Sequence, residues 1–145
     1  MSPNKTEDRE EKVNALIRAY SNASFVEEFE GINIYQIPPE EHVAVKQTKE
    51  KDKLDRYHFG VTPDTMDKYH AKHLPLVCLV GDEGAIKIPL DVLDEYLKIA
   101  YITHRRSYSL YQVYIERHEQ GSPFVLWKNE SEKVWPLDDF TPFRH

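Results

Sequence analysis

Apolar positions along this chain recur with two periods, and the change from one to the other marks out its elements. Val13, Leu16, Ile17 and Tyr20 fall at i, i+3, i+4 and i+7, which predicts an amphipathic helix over residues 7–22. Thr6 stands where an N-cap belongs, and the acids Glu7, Asp8, Glu10 and Glu11 in the first turns complement the helix dipole. The run from Phe25 to Phe29 reads as a further helical turn. Beyond Gly31 the period drops to two. Ile32, Ile34 and Ile37 with Tyr35 predict a strand that Pro38-Pro39 ends. His42 to Thr48 predicts a second strand, with Val43 and Val45 on one face and Ala44 and Lys46 on the other. Tyr57 to Val61 predicts a third, and the polar stretch Lys49 to Asp55 reads as the hairpin loop between them.

Thr62-Pro63-Asp64 is a helix-start signal, with the cap, a proline at the first helical position and an acid just inside, and it predicts a helix to about Lys72. Leu74 to Val80 is almost continuously apolar, as in a strand buried on both faces. Gly81-Asp82-Glu83-Gly84 is turn chemistry, with Ala85 to Ile88 returning from it. Pro89 opens a third helix with a stripe of Val92, Leu93, Tyr96, Leu97 and Ala100. Tyr111, Val113 and Ile115 then alternate with polar partners, Gly121-Ser122-Pro123 turns the chain, and Phe124 to Trp127 and Lys133 to Trp135 read as short strands. Residues 1–6 are expected to be flexible and 136–145 to form an irregular tail. The expectation is an α+β fold of one domain, residues 1–145: a mixed β-sheet with an N-terminal amphipathic helix, two further helices and a C-terminal antiparallel hairpin or meander.

Composition narrows the function classes. With 145 residues, 40% hydrophobic and 30% charged, the chain suits one soluble globular core. The longest apolar run, Leu74 to Val80, is far short of the roughly twenty residues a membrane helix needs, so no membrane partner is expected. The single cysteine, Cys78, rules out an internal disulfide, and its apolar neighbours Val77 and Leu79 suggest a cytoplasmic protein. A net charge of −6 excludes a globally basic nucleic-acid binder. It does not exclude a local one. Residues 42–73 alone carry more basic than acidic side chains, and Lys46, Lys49, Lys51, Lys53 and Arg56 stand there beside His42, His58, Tyr57 and Phe59. Lys and Arg contact phosphates and aromatic rings stack on bases, so this segment is the candidate nucleic-acid surface, with Tyr57 and Phe59 as stacking groups; a solvated loop is the alternative. Arg105 and Arg106 form a second basic point, able to grip phosphates or to meet a helix end.

Asp67, His70 and His73 are spaced three apart on the second predicted helix, the one candidate metal cluster, although a catalytic site needs ligands held elsewhere too. Cys78 is read as inert in its apolar strand. Neither a Gly-x-Ser-x-Gly elbow, a P-loop nor a Gly-x-Gly-x-x-Gly turn occurs, so no cofactor is expected.

The pieces NIYQIP, HVAVKQT, RYHFGV and PLVCLVGDEGAIKIP, between a helix near residues 7–22 and one after Pro89, resemble in their order the restriction-endonuclease-like, PD-(D/E)XK, nuclease superfamily. In that family a helix precedes a hairpin whose second strand ends in a lysine, here Lys46, followed by a strand, a helix and a buried strand. The family places Asp or Glu two residues before that lysine; Ala44 stands there instead. The resemblance therefore implies a catalytically silent, DNA-binding module of a restriction or defence system, with Lys46 as a phosphate contact. Two alternatives stay open. One is a protein-interaction or assembly module, including a homo-oligomer. The other is a Mg²⁺-dependent endonuclease whose acid is displaced to Glu28, Glu30 or Glu41.

Overall fold

The structure, a computed structural model, describes residues 5–48, 56–81, 84–117, 124–126, 135–137 and 140–143. Helix α1 spans Lys5–Ala19. Thr6 therefore lies inside the helix and does not cap it, and the expected flexible start is corrected for Lys5 and Thr6. Phe25 to Phe29 is also corrected: it lies in strand β1 (Ser24–Phe29), where half-buried Phe25, Glu27 and Phe29 alternate with exposed neighbours. Two phenylalanines four apart satisfy either period. The tight reversal at Glu30-Gly31, both at positive φ, decides for the strand by folding β1 back antiparallel onto β2 (Ile32–Ile37).

A turn at the cis Pro38-Pro39 bond leads into β3 (Glu40–Gln47). The next strand, β4 (Arg56–Val61), was expected to form a hairpin with β3, but it pairs antiparallel with β8 (Ser109–Arg117) in a different sheet. Residues 49–55, the expected hairpin loop, lie outside the described residues. Thr48 ties the two strands across the gap: its hydroxyl donates to the His58 carbonyl at 2.8 Å and accepts from the His58 N–H at 3.3 Å.

Helix α2 (Pro63–Ala71) then returns the chain, capped by Thr62, whose hydroxyl accepts from the Thr65 N–H at 3.1 Å. Strand β5 (Leu76–Val80) lies parallel to β3, and β6 (Gly84–Pro89) pairs back antiparallel on β5. Helix α3 (Leu90–Leu97) and the short strand β7 (Tyr101–His104) lead into β8, with β7 antiparallel to it.

The C-terminal stretch is not irregular. Among its described residues are β9 (Phe124–Leu126), β10 (Trp135–Leu137) and β11 (Phe140–Pro142). The first sheet has the order β1-β2-β3-β5-β6-β11, and the second runs β10-β9-β8-β4 with β7 also on β8. Gly84 admits β11 at this edge, since a Cβ there would collide with the Thr141 carbonyl oxygen.

The first sheet is covered on both faces. On one, Leu16 and Ala19 of α1 meet Tyr35, Val43, Val45, Cys78 and Val80. On the other, Ile34, Val77, Leu79 and Ile88 meet Phe59, Val113 and Ile115 of the second sheet, with Tyr69 of α2 and Leu93 and Tyr96 of α3. Burying one such aliphatic side chain stabilises by about 2 kcal/mol. Two-sided cover explains why β5 reads as an unbroken apolar run, since all five of its residues are buried.

Helix α2 ends in a Schellman turn. The Leu74 N–H donates to the Tyr69 carbonyl at 3.1 Å and the His73 N–H to the His70 carbonyl at 3.0 Å, which places His73 at φ 53°. That conformation favours glycine, and His73 is exposed, so its side chain contributes no burial in return. His73→Gly is expected to stabilise the fold by about 0.5–1 kcal/mol, after the entropy glycine adds to the unfolded chain. A urea midpoint that falls in the variant contradicts this account of the turn.

Candidate nucleic-acid interface

Strands β2 and β3 pair at Tyr35–Val43 and Ile34–Ala44 and then part. Past that point Asn33 and Ile32 pair with β1, while Lys46 and Gln47 pair with β5. The sheet opens into a cleft of about 200 Å³ between the separating strands. Lys12 enters it from α1, Asn33 and Lys46 form its walls, and Thr65 and Tyr69 enter from α2. None of the described residues lining it is acidic.

The electrostatics of the cleft favour an anion. Lys46 is half-buried, and its ammonium makes no hydrogen bond or ion pair with any described residue. Burial, and secondly the charge of Lys12, hold its ammonium pKa below the ordinary lysine value. Tyr69 is buried, and that burial pushes its phenol pKa up, so it stays a neutral hydroxyl at physiological pH. Asn33 Oδ1 is buried without a hydrogen-bond partner, and its amide can present either of its ends to a ligand. A phosphate or similar oxyanion would offset the charge on both lysines and accept from the surrounding donors. A hard cation such as Mg²⁺ favours carboxylate ligands, and no described residue of this lining supplies one. Ala44 lies in the same wall, so the position two before Lys46 presents a methyl group to the cleft.

The other predicted residues do not join this site. Lys49, Lys51 and Lys53 lie outside the described residues, as does the side chain of Arg56. Tyr57 is only 2% exposed and Phe59 6%, so both are core residues and the expected stacking role is corrected. Neighbours in a strand point to opposite faces. Tyr57, Phe59 and Val61 take the inner face of β4, so the basic and aromatic groups that alternate in the sequence do not share a surface.

Arg105 and Arg106 are exposed in the turn between β7 and β8, closed by the Arg105 N–H donating to the Tyr108 carbonyl at 2.8 Å. Arg56 pairs opposite Glu116 at the far end of β8, whereas the turn adjoins Ser109. At about 3.3 Å per residue the two basic points are roughly 23 Å apart, and they do not converge.

The metal candidate is likewise not assembled. His73 sits in the Schellman turn, off the face of α2 that carries His70, and His70 Nε2 meets Asp94 Oδ1 of α3 at 2.9 Å. Asp67, His70 and Asp94 border a separate cleft of about 360 Å³. Among the described residues no group of three or more His, Cys, Asp or Glu side chains is arranged to hold a metal. Of the displaced acids, Glu28 and Glu30 are exposed and neither lines the Lys46 cleft; the side chain of Glu41 is outside the described residues. Cys78 is fully buried, and no described helix is long and apolar enough to cross a membrane.

Lys12, Asn33, Thr65 and Tyr69 are the site residues that sequence reasoning missed. Lys12 lies one turn before Leu16 on the stripe that continues to Ala19, so a cation on the inward face of α1 was the available signal.

Lys46 carries a stability cost that its removal relieves. A lysine whose pKa is lower in the folded than in the unfolded state destabilises at neutral pH, and stability rises with pH between the two values as the folded state releases its proton first. Lys46→Met is therefore expected to stabilise the protein by about 1 kcal/mol at neutral pH. The advantage over wild type should shrink as pH approaches the ordinary lysine pKa. Urea melts of both proteins at neutral and alkaline pH test this, and an advantage that grows with pH contradicts it.

In comparisons with known proteins the chain matches no family model, no curated protein and no solved structure.

Proposed function

We propose that this chain is a non-catalytic DNA-binding module, nuclease-like in the order of its elements, that holds a backbone phosphate in the cleft between Lys12 and Lys46. The observation that carries the reading is the cleft itself: two lysines, an amide and two hydroxyl-bearing residues surround a space to which no described residue brings a carboxylate. Supporting the nuclease-like part is the succession of α1, β1, the β2–β3 hairpin with Lys46 near its end, β4, α2 and the buried β5. Ala44 in place of the family's acid removes the ligand on which metal-dependent hydrolysis depends. A restriction or defence setting follows from that resemblance, and buried Cys78 suits a reducing cytoplasm.

A protein-interaction module is the second reading. It is favoured by Ile17 and Val26, 39% and 38% exposed, near a cleft of about 440 Å³ lined by Val13, Ala23 and Phe25. Size exclusion with light scattering separates the two, since a stable oligomer without DNA affinity supports the second alone.

Fluorescence anisotropy with a labelled short duplex at low salt tests the first reading. Lys12→Ala/Lys46→Ala is expected to weaken binding about tenfold and to lower the slope of log K against log salt by about 2. No binding at micromolar wild-type protein would sink the proposal. Plasmid incubated with Mg²⁺ should stay intact, and cleavage would replace it with the displaced-acid nuclease.

A further inference from the structure

The outer face of the second sheet carries aromatic rings that the inner core does not use. Because Phe59, Val61, Val113 and Ile115 point inward, their strand neighbours His58, Gly60, Gln112 and Tyr114 point outward. The pairing of β7 with β8 sets Tyr101 opposite Gln112 and Thr103 opposite Leu110 on the same outer side. His58 stacks on Tyr114 with centroids 5.1 Å apart and planes at 22°, and Tyr101 meets Tyr114 edge-on at 6.1 Å and 81°.

These rings are held in place. Gln112 Nε2 donates to the Thr103 hydroxyl at 3.0 Å, which fixes the amide so that its oxygen faces His58 Nε2. That nitrogen must then be the donor, and the imidazole is oriented with its exposed side toward solvent. From beneath, the Tyr96 hydroxyl accepts from the Tyr114 backbone N–H at 3.3 Å, between the stretches of β8 that β7 and β9 cover.

Among its described side chains, this face carries charge of one sign. Arg105 and Arg106 stand exposed at the end of the β7–β8 hairpin, without an ion-pair partner among the described residues. His58, Thr103, Gln112, Tyr114 and Tyr101 bring no acid to the face. From Tyr114 to the turn is about 20 Å along the strand, which suits a run of about four nucleotides. A duplex keeps its base faces stacked inside. Only a single strand offers those faces to an open sheet together with phosphates for the arginines.

We propose that this face is a stacking platform for a short single-stranded nucleic-acid segment, with His58 and Tyr101 against bases and Arg105 and Arg106 on phosphates. The inference rests on the reading of the chain as a nucleic-acid binder and adds a second, separate surface to it.

Anisotropy of labelled oligothymidine and of a duplex, measured side by side, tests it. Wild type should bind oligothymidine, and His58→Ala/Tyr101→Ala should weaken that binding about tenfold or more while leaving the duplex affinity within twofold. Arg105→Glu/Arg106→Glu, at exposed turn positions away from the core, should weaken oligothymidine binding about tenfold even if the ring variant proves unstable. Duplex bound without oligothymidine overturns this inference alone. Oligothymidine binding lost in Lys46→Ala and kept in both platform variants also overturns it, and leaves the cleft as the binding site. If neither nucleic acid binds, both proposals fall.

Discussion

Covering the first sheet on both faces is the constraint from which the rest of the structure follows. Each strand in its centre must supply two cores at once, one against α1 and one against the second sheet. That requirement makes β5 apolar throughout, and it sends β4 away from β3, because a strand paired beside β3 would leave the inner face without its cover. Tyr57, Phe59 and Val61 serve that cover, which is why they are absent from the surface. Tyr35 and Ile34, adjacent in β2, end in different cores for the same reason.

The cleft arises where this arrangement gives way. Once β2 turns toward β1 and β3 toward β5, the two layers no longer seal against each other, and polar groups from α1 and α2 meet through the opening. A lysine placed there loses solvation without gaining a partner among the described residues, an arrangement that costs stability when nothing is bound. Groups that lower stability and are still positioned among four separate elements mark a candidate binding site better than they mark a scaffold.

Much of the fold was legible because burial writes itself into period. α2, β5, β6 and α3 were marked by caps, turns and apolar spacing, and the α+β architecture followed from their order. What escaped depended on pairing partners that no local pattern names. Phe25 and Phe29 fit helix or strand until the Glu30-Gly31 reversal chose between them. Residues 136–145 looked irregular because β10 and β11 are three residues each, too short for a period to show. At the candidate site the error was of another kind. Reading Lys46, Arg56, Tyr57 and Phe59 as one surface treated neighbours in the chain as neighbours in space. Lys12 and Asn33 came to Lys46 through the fold, and the outward rings of His58, Tyr101 and Tyr114 through strand register.

The C-terminal strands have a consequence for how this protein comes to exist. β10 belongs to the second sheet and β11 to the first, with residues 138 and 139 alone between them. The final segment thus acts as a clasp across two layers and not as an extension of either. Synthesis delivers that clasp after the strands it joins. Until then Ala85 and Ile86, the partners of Thr141 and Phe140, form an unpaired edge, and a nascent chain must hold that edge apart from other chains before β11 can close it.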